Sequence, residues 1–128
     1  ELLQSPDFSQ IAGWTLSENA SFDDVKQFVS VNVDSPAYQT IKVTPNRQYT
    51  NQVTVRCLSS DGSARMQINW LDAKGRFIST DIRPVECTDS WSTHSMKVFA
   101  PVNAHTAFVY ATGHTKTPVQ FKQNSFRQ

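Results

Sequence analysis

Alternation with a period of two runs through most of this sequence, and it is sharpest over residues 64 to 78. There Met66, Ile68 and Trp70 alternate with Arg65, Gln67 and Asn69, the period of a strand with one buried and one wet face. Asp72-Ala73-Lys74-Gly75 follows, before Phe77-Ile78 resumes the apolar pattern. The Asp can bond its own backbone and the Gly accepts positive φ, so the spacing predicts a hairpin with a loop of about four or five residues.

The same period recurs on both sides. Val29, Val31 and Val33 oppose Phe28, Ser30 and Asn32, and Ile41 and Val43 point inward from a strand over 38 to 43. Tyr49 to Leu58 is the longest strand candidate: Val53, Val55 and Cys57 share one face, and Thr50, Gln52, Thr54 and Arg56 the other. A weaker strand spans 80 to 85. In 91 to 99, Met96 and Val98 point inward; in 106 to 112, Ala107, Val109 and Ala111 oppose Phe108 and Tyr110. Val119 and Phe121 begin a last strand. Residues 17 to 27 read as loop. About eight or nine short strands with turn signals between them and no helical period predict a single all-β domain over 1–128, a β-sandwich or barrel.

A chain of 128 residues can bury a core without metals or several disulfides. Its 12 basic and 11 acidic side chains leave a formal charge of +1, and no basic cluster points to nucleic acid or to a membrane surface. No run of about 18 or more apolar residues is present for a membrane helix. No signal peptide is read, and a start at Glu1 fits an excised or matured domain. Cys57 and Cys87 form neither a CxxC nor a Cys/His metal pattern. They are either buried free thiols or a disulfide closing a loop of about 30 residues, worth roughly 3 kcal/mol or more and a mark of an oxidising compartment.

No catalytic motif stands out. His94, His105 and His114 are scattered, and no GxSxG, HExxH, P-loop or convergent acid pair is present. The reading is therefore not an enzyme. Binding is better served: sugars need apolar ring faces for their C–H groups and planar polar groups for their hydroxyls. Arg56, Gln67 and Asn69 are the candidates for the hydroxyls, and Phe108 and Tyr110, two residues apart on one strand face, for ring stacking. Trp70 and Trp91 read as core or sheet-edge packing, and Trp14 as the tryptophan most open to an exposed role.

Taken in order, Asp7-Phe8, Gly13-Trp14, Ala37-Tyr38-Gln39-Thr40-Ile41, Thr44-Pro45, Tyr49, Ile68 to Gly75, Trp91, Ala100 to Ala104 and Val119-Gln120-Phe121 resemble the carbohydrate-binding modules of the CBM4/9/22-type group. The likeness covers nearly the whole chain, and its most telling parts are the WLDAKG hairpin and the segment from Trp91 to Ala104. It implies a galactose-binding-domain-like jelly roll of two facing antiparallel sheets, an oligo- or polysaccharide partner, and an accessory place in a larger exported or membrane-anchored, extracytoplasmic protein with covalently linked domains. It also implies that the 49–58 and 91–99 strands pair and bring Cys57 near Cys87, favouring the disulfide. Where the group carries carboxylates for a structural calcium, this chain has Phe8-Ser9 and Phe121-Lys122-Gln123, and a lysine there argues against calcium on charge. Thr54 stands where the group frequently has an aromatic. The same sandwich also serves as a structural or protein–protein interaction module without sugar affinity, which is the alternative expectation.

Overall fold

The computed structural model describes all residues, 1–128. The strands are β1 Thr15–Leu16, β2 Ser21–Asp23, β3 Phe28–Val31, β4 Ala37–Lys42, β5 Gln48–Arg56, β6 Ala64–Leu71, β7 Phe77–Val85, β8 Ser92–Phe99, β9 Thr106–Gly113 and β10 Val119–Arg127. They form two five-stranded sheets in the orders β1-β4-β9-β6-β7 and β2-β3-β10-β5-β8, and every pairing is antiparallel. Of the sandwich or barrel that the alternation allows, this is the sandwich, in the two-sheet jelly-roll form that the resemblance implies. No helix is long and apolar enough to cross a membrane.

The alternation works because each strand buries every second residue between the sheets. In β6, Ala64, Met66, Ile68 and Trp70 are fully buried and Arg65, Gln67 and Asn69 are not. In β9 the buried set is Ala107, Val109 and Ala111. The small residues of β9 leave room for large ones on β6 and on the facing sheet: Tyr49 stacks on Phe126 at 5.0 Å, and Trp70 lies 6.3 Å from both rings. The buried Trp70 indole donates to Asp81 Oδ2 at 2.7 Å, so its one polar atom is satisfied.

The predicted hairpin forms with Asp72–Arg76 as its loop. Asp72 Oδ1 accepts from the backbone N–H of Lys74 and of Arg76, both at 2.9 Å, and Gly75 sits at φ 78°, a conformation that a Cβ disfavours.

Two readings of the N-terminal region change. Residues 17 to 27 are not all loop, because Ser21–Asp23 adds a short edge strand to β3. Trp14 is buried, not exposed: it packs on Phe8 at 4.9 Å and donates to the Ser5 carbonyl at 3.1 Å. Its burial was hidden because the segment carrying it follows turns rather than a strand period. That segment also closes the second sheet, since Leu2 N–H donates to Phe126 O and Asn124 N–H to Pro6 O.

Cys57 and Cys87 are joined as a disulfide, with Cα atoms 5.3 Å apart. The β5–β8 pairing runs in register from Gln48↔Phe99 to Val55↔Ser92, and the bond staples the loops beyond that end.

Candidate functional site

Alternation assigned five residues to outward faces, and the structure divides them between two faces. Gln67 and Asn69 on β6 and Phe108 and Tyr110 on β9 lie together on the outer face of the first sheet, where the register pairs Gln67 with Tyr110 and Asn69 with Phe108. Arg56, on β5, belongs to the second sheet and faces the opposite way. One ligand of a few sugar rings cannot touch both sets.

On the first sheet, Tyr38 of β4 joins the two predicted aromatics. It stacks on Phe108 at 5.6 Å and leans on Tyr110 at 5.8 Å. Beside these rings the polar side chains bond one another in a ladder. Arg65 engages His114 Nδ1 and donates to Gln67 Oε1; Gln67 Nε2 donates to Asn69 Oδ1; Asn69 Nδ2 donates to the Tyr110 hydroxyl at 3.3 Å. Thr80 Oγ1 also donates to Asn69 Oδ1, at 2.7 Å. Burial, and then the neighbouring Tyr38, push the Tyr110 phenol above its ordinary value. Much of the hydrogen-bonding capacity of Gln67 and Asn69 is already used within the ladder, so a sugar hydroxyl would have to replace bonds rather than add them.

The second face is built differently. Arg56 lies over the Trp91 ring, its Cζ 4.5 Å from the centroid, and 5.6 Å from the Phe28 centroid. Its Nε donates to Gln120 Oε1 at 2.6 Å on the neighbouring β10. The contact with Trp91 and the bond to Gln120 hold the guanidinium in place, while Nη1 and Nη2 have no protein partner. Lys122 stands at the irregularity in β10 where the register shifts between Phe121 and Gln123, and its Nζ lies 4.9 Å from the same Trp91 ring. Next along the sheet, Thr54 Oγ1 bonds Thr93 Oγ1 and donates to Gln123 Oε1. Gln52 Nε2 reaches Gln123 Oε1 at 3.4 Å. The carboxamide Nε2 groups of Gln120 and Gln123 donate to no protein atom, so this face presents a pre-set guanidinium fork, two amide donors and two half-buried aromatic rings.

Sequence reasoning found Arg56 but missed its partners. From sequence Trp91 reads as core or sheet-edge packing, although it shares parity with the outward Thr93, Ser95 and Lys97. Alternation puts Phe28 on the correct face without connecting it to Arg56, because β3 and β5 become near neighbours only through β10.

The largest cleft lies elsewhere, at the disulfide end. It encloses about 730 Å³ and is lined by Ser60, Asp61, Gly62, Ser63, Glu86, Cys87, Thr88, Ser92 and His94. Ser92 Oγ and His94 Nε2 are 2.9 Å apart within it. No Phe, Tyr or Trp lines it, and the one imidazole, His94, is tied to Ser92, so it lacks the broad apolar ring face on which a sugar stacks.

No protein-family model matches the chain, and no curated protein does. Solved structures match throughout its length at low identity. The CBM22-1 xylan-binding domain of Paenibacillus barcinonensis Xyn10C is 13% identical with a TM-score of 0.68, covering 99% of this chain and 94% of that one. A family 16 carbohydrate-binding module is 10% identical with a TM-score of 0.66, covering 99% of each chain. The enzymatically active domain of bacteriophage CBA120 tailspike protein 4 is 15% identical with a TM-score of 0.66; the match covers 94% of this chain but only 20% of that one. The chain has the jelly-roll sandwich fold of these carbohydrate-binding modules.

Proposed function

We propose that this chain is a non-catalytic glycan-binding domain whose ligand lies across the outer face of the second sheet. The observation that carries the reading is the state of Arg56, held against Trp91 and by Gln120 with both terminal nitrogens unspent. A donor fork fixed before binding loses little rotamer entropy when a ligand arrives, and its planar geometry suits adjacent ring hydroxyls or a carboxylate. Trp91 and Phe28 supply apolar edges, and Gln120 and Gln123 supply further amides. Full-length fold likeness to modules described as carbohydrate-binding supports the same reading.

On this reading residues 1–128 act as one accessory domain, covalently linked to other domains of a larger protein. The disulfide supports an extracytoplasmic setting, since such bonds persist where the surroundings are oxidising. A glycan-array screen of the protein and of Arg56→Ala tests it. Hits that Arg56→Ala loses support the reading; a blank array on folded protein overturns it.

A second reading, a protein-interaction module, is favoured by the exposed Phe77 and Ile82 on β7 and Phe99 on β8, two of the four sheet-edge strands. A concentration-dependent oligomer that Phe77→Ser and Phe99→Ser abolish would support it.

A further inference from the structure

We infer that the second-sheet site is built for an anionic saccharide, one carrying carboxylate or sulfate groups, rather than for a neutral one. The inference rests on the glycan-binding reading above and names the ligand class of that site.

The argument begins with charge that nothing in the protein answers. Arg56 and Lys122 lie 4.5 and 4.9 Å from the centroid of the same indole, so their separation is at most a Debye length, about 10 Å at 0.1 M salt. Two cations that close repel one another. The Trp91 ring face attracts each of them, but no carboxylate pairs with either: the ion pair of this protein joins Arg76 and Asp72, at the hairpin loop of the other sheet. Asp23 on β2, opposite Phe28 in register, spends Oδ1 on the backbone N–H groups of Val25 and Lys26, and Asp89, two residues before Trp91, makes no ion pair with either cation.

A site for neutral sugar needs one guanidinium or amide at each hydroxyl, and gains nothing from a second unpaired cation beside the first. An anion is different. It relieves the repulsion, meets the two free Nη groups of Arg56 as a fork meets a carboxylate, and receives Lys122 as a point charge. Its position over partly buried rings lets those charge-assisted bonds form where water screens less than on an open surface. The β10 irregularity matters here, because it sets Lys122 out of step with its neighbours and against Trp91.

The experiment uses glucuronoxylan and polygalacturonate, each alongside the same polymer with its carboxyls reduced to alcohols. Binding is measured at low and at high salt by affinity electrophoresis and calorimetry. At least one native polymer is expected to bind about ten-fold more tightly than its reduced form at low salt, with the difference shrinking as salt screens it. Lys122→Gln, at an exposed position that leaves the core untouched, is expected to remove most of that difference, and Lys122→Arg to restore it. Lys74→Gln deletes the same charge at the hairpin loop of the other sheet and is expected to keep the preference. Equal binding of native and reduced polymers overturns the anionic inference and leaves the glycan reading standing. A preference that Lys122→Gln and Arg56→Gln both retain also overturns it. Failure of all four polymers to bind folded protein, with a blank glycan array, removes both.

Discussion

Arg56 and Asn124 show what single side chains contribute on the two sides of β5 and β10. Arg56 faces out with both terminal nitrogens unspent; Asn124 faces in with its amide nitrogen and oxygen both engaged. Asn124 Nδ2 donates to the Tyr110 carbonyl of the opposite sheet at 2.9 Å, and its Oδ1 accepts from Asn51 Nδ2 at 2.8 Å. Both asparagines are fully buried, so this pair ties the two sheets through groups that water cannot rescue. Asn124→Ala is expected to lower stability by roughly 2 to 4 kcal/mol, read from a denaturant melt, because it opens a gap, removes the bond to the Tyr110 carbonyl and leaves Asn51 Nδ2 with only the Ser125 carbonyl as partner. Arg56→Ala should leave that melt nearly unchanged and weaken glycan binding about ten-fold or more. The split between the two variants is the point: a comparable stability loss for both would mean that Arg56 is a structural residue.

At the scale of the element, the β6–β7 hairpin was the most legible part of the sequence because its signals are local. Asp72 and Gly75 specify the turn through their own backbone bonds and φ, and alternation specifies the strand. Gly75→Ala is expected to cost about 1 kcal/mol, since the left-handed backbone is the whole penalty; a Cβ at that position meets nothing within 4 Å. Hydrogen bonding by the Arg76 backbone N–H, joined by the Arg76 side chain and the Lys74 N–H, holds the Asp72 carboxyl below its ordinary 3.8. A carboxylate whose folded value is depressed stabilises the fold above its unfolded value, and loses that contribution as pH falls through the folded one. The protection of the 72–76 loop amides, taken relative to their intrinsic exchange rate at each pH, is therefore expected to hold above about pH 4 and to fall below it, a fall that Asp72→Asn should remove. The Trp14 segment was illegible for the converse reason. Its burial depends on Phe8 and on the Ser5 carbonyl, reached through turns that have no period.

At the scale of the whole molecule, what the sequence concealed was which outward faces coincide. Parity correctly assigned Gln67, Asn69, Phe108 and Tyr110, and Arg56, to the outside, yet parity says nothing of strand order. That order puts β5 between β10 and β8 in one sheet and β6 between β9 and β7 in the other. The five candidates therefore became two groups on opposite sides, and Trp91 and Phe28 joined Arg56 through long-range pairings. The disulfide belongs to this scale too. Cys57 and Cys87 are 30 residues apart in sequence, and the loop they close spans β6, β7 and their hairpin, so reduction frees the connection between the two sheets' edge strands. Reducing it is expected to cost roughly 3 to 4 kcal/mol, or about 10 °C or more in Tm, and Cys57→Ser/Cys87→Ser should match the reduced protein.

The central claim is that one face of this sandwich binds glycan and that it is the face carrying Arg56. The direct measurement is calorimetric titration of one array-positive oligosaccharide into four folded proteins: the parent, Arg56→Ala, Trp91→Ala and the double variant Gln67→Ala/Tyr110→Ala. The expected result is a loss of about ten-fold or more for each of the two second-sheet variants and a change within about two-fold for the first-sheet pair. Loss confined to Gln67→Ala/Tyr110→Ala, with Arg56→Ala and Trp91→Ala binding as the parent does, would contradict the account and move the site to the opposite face.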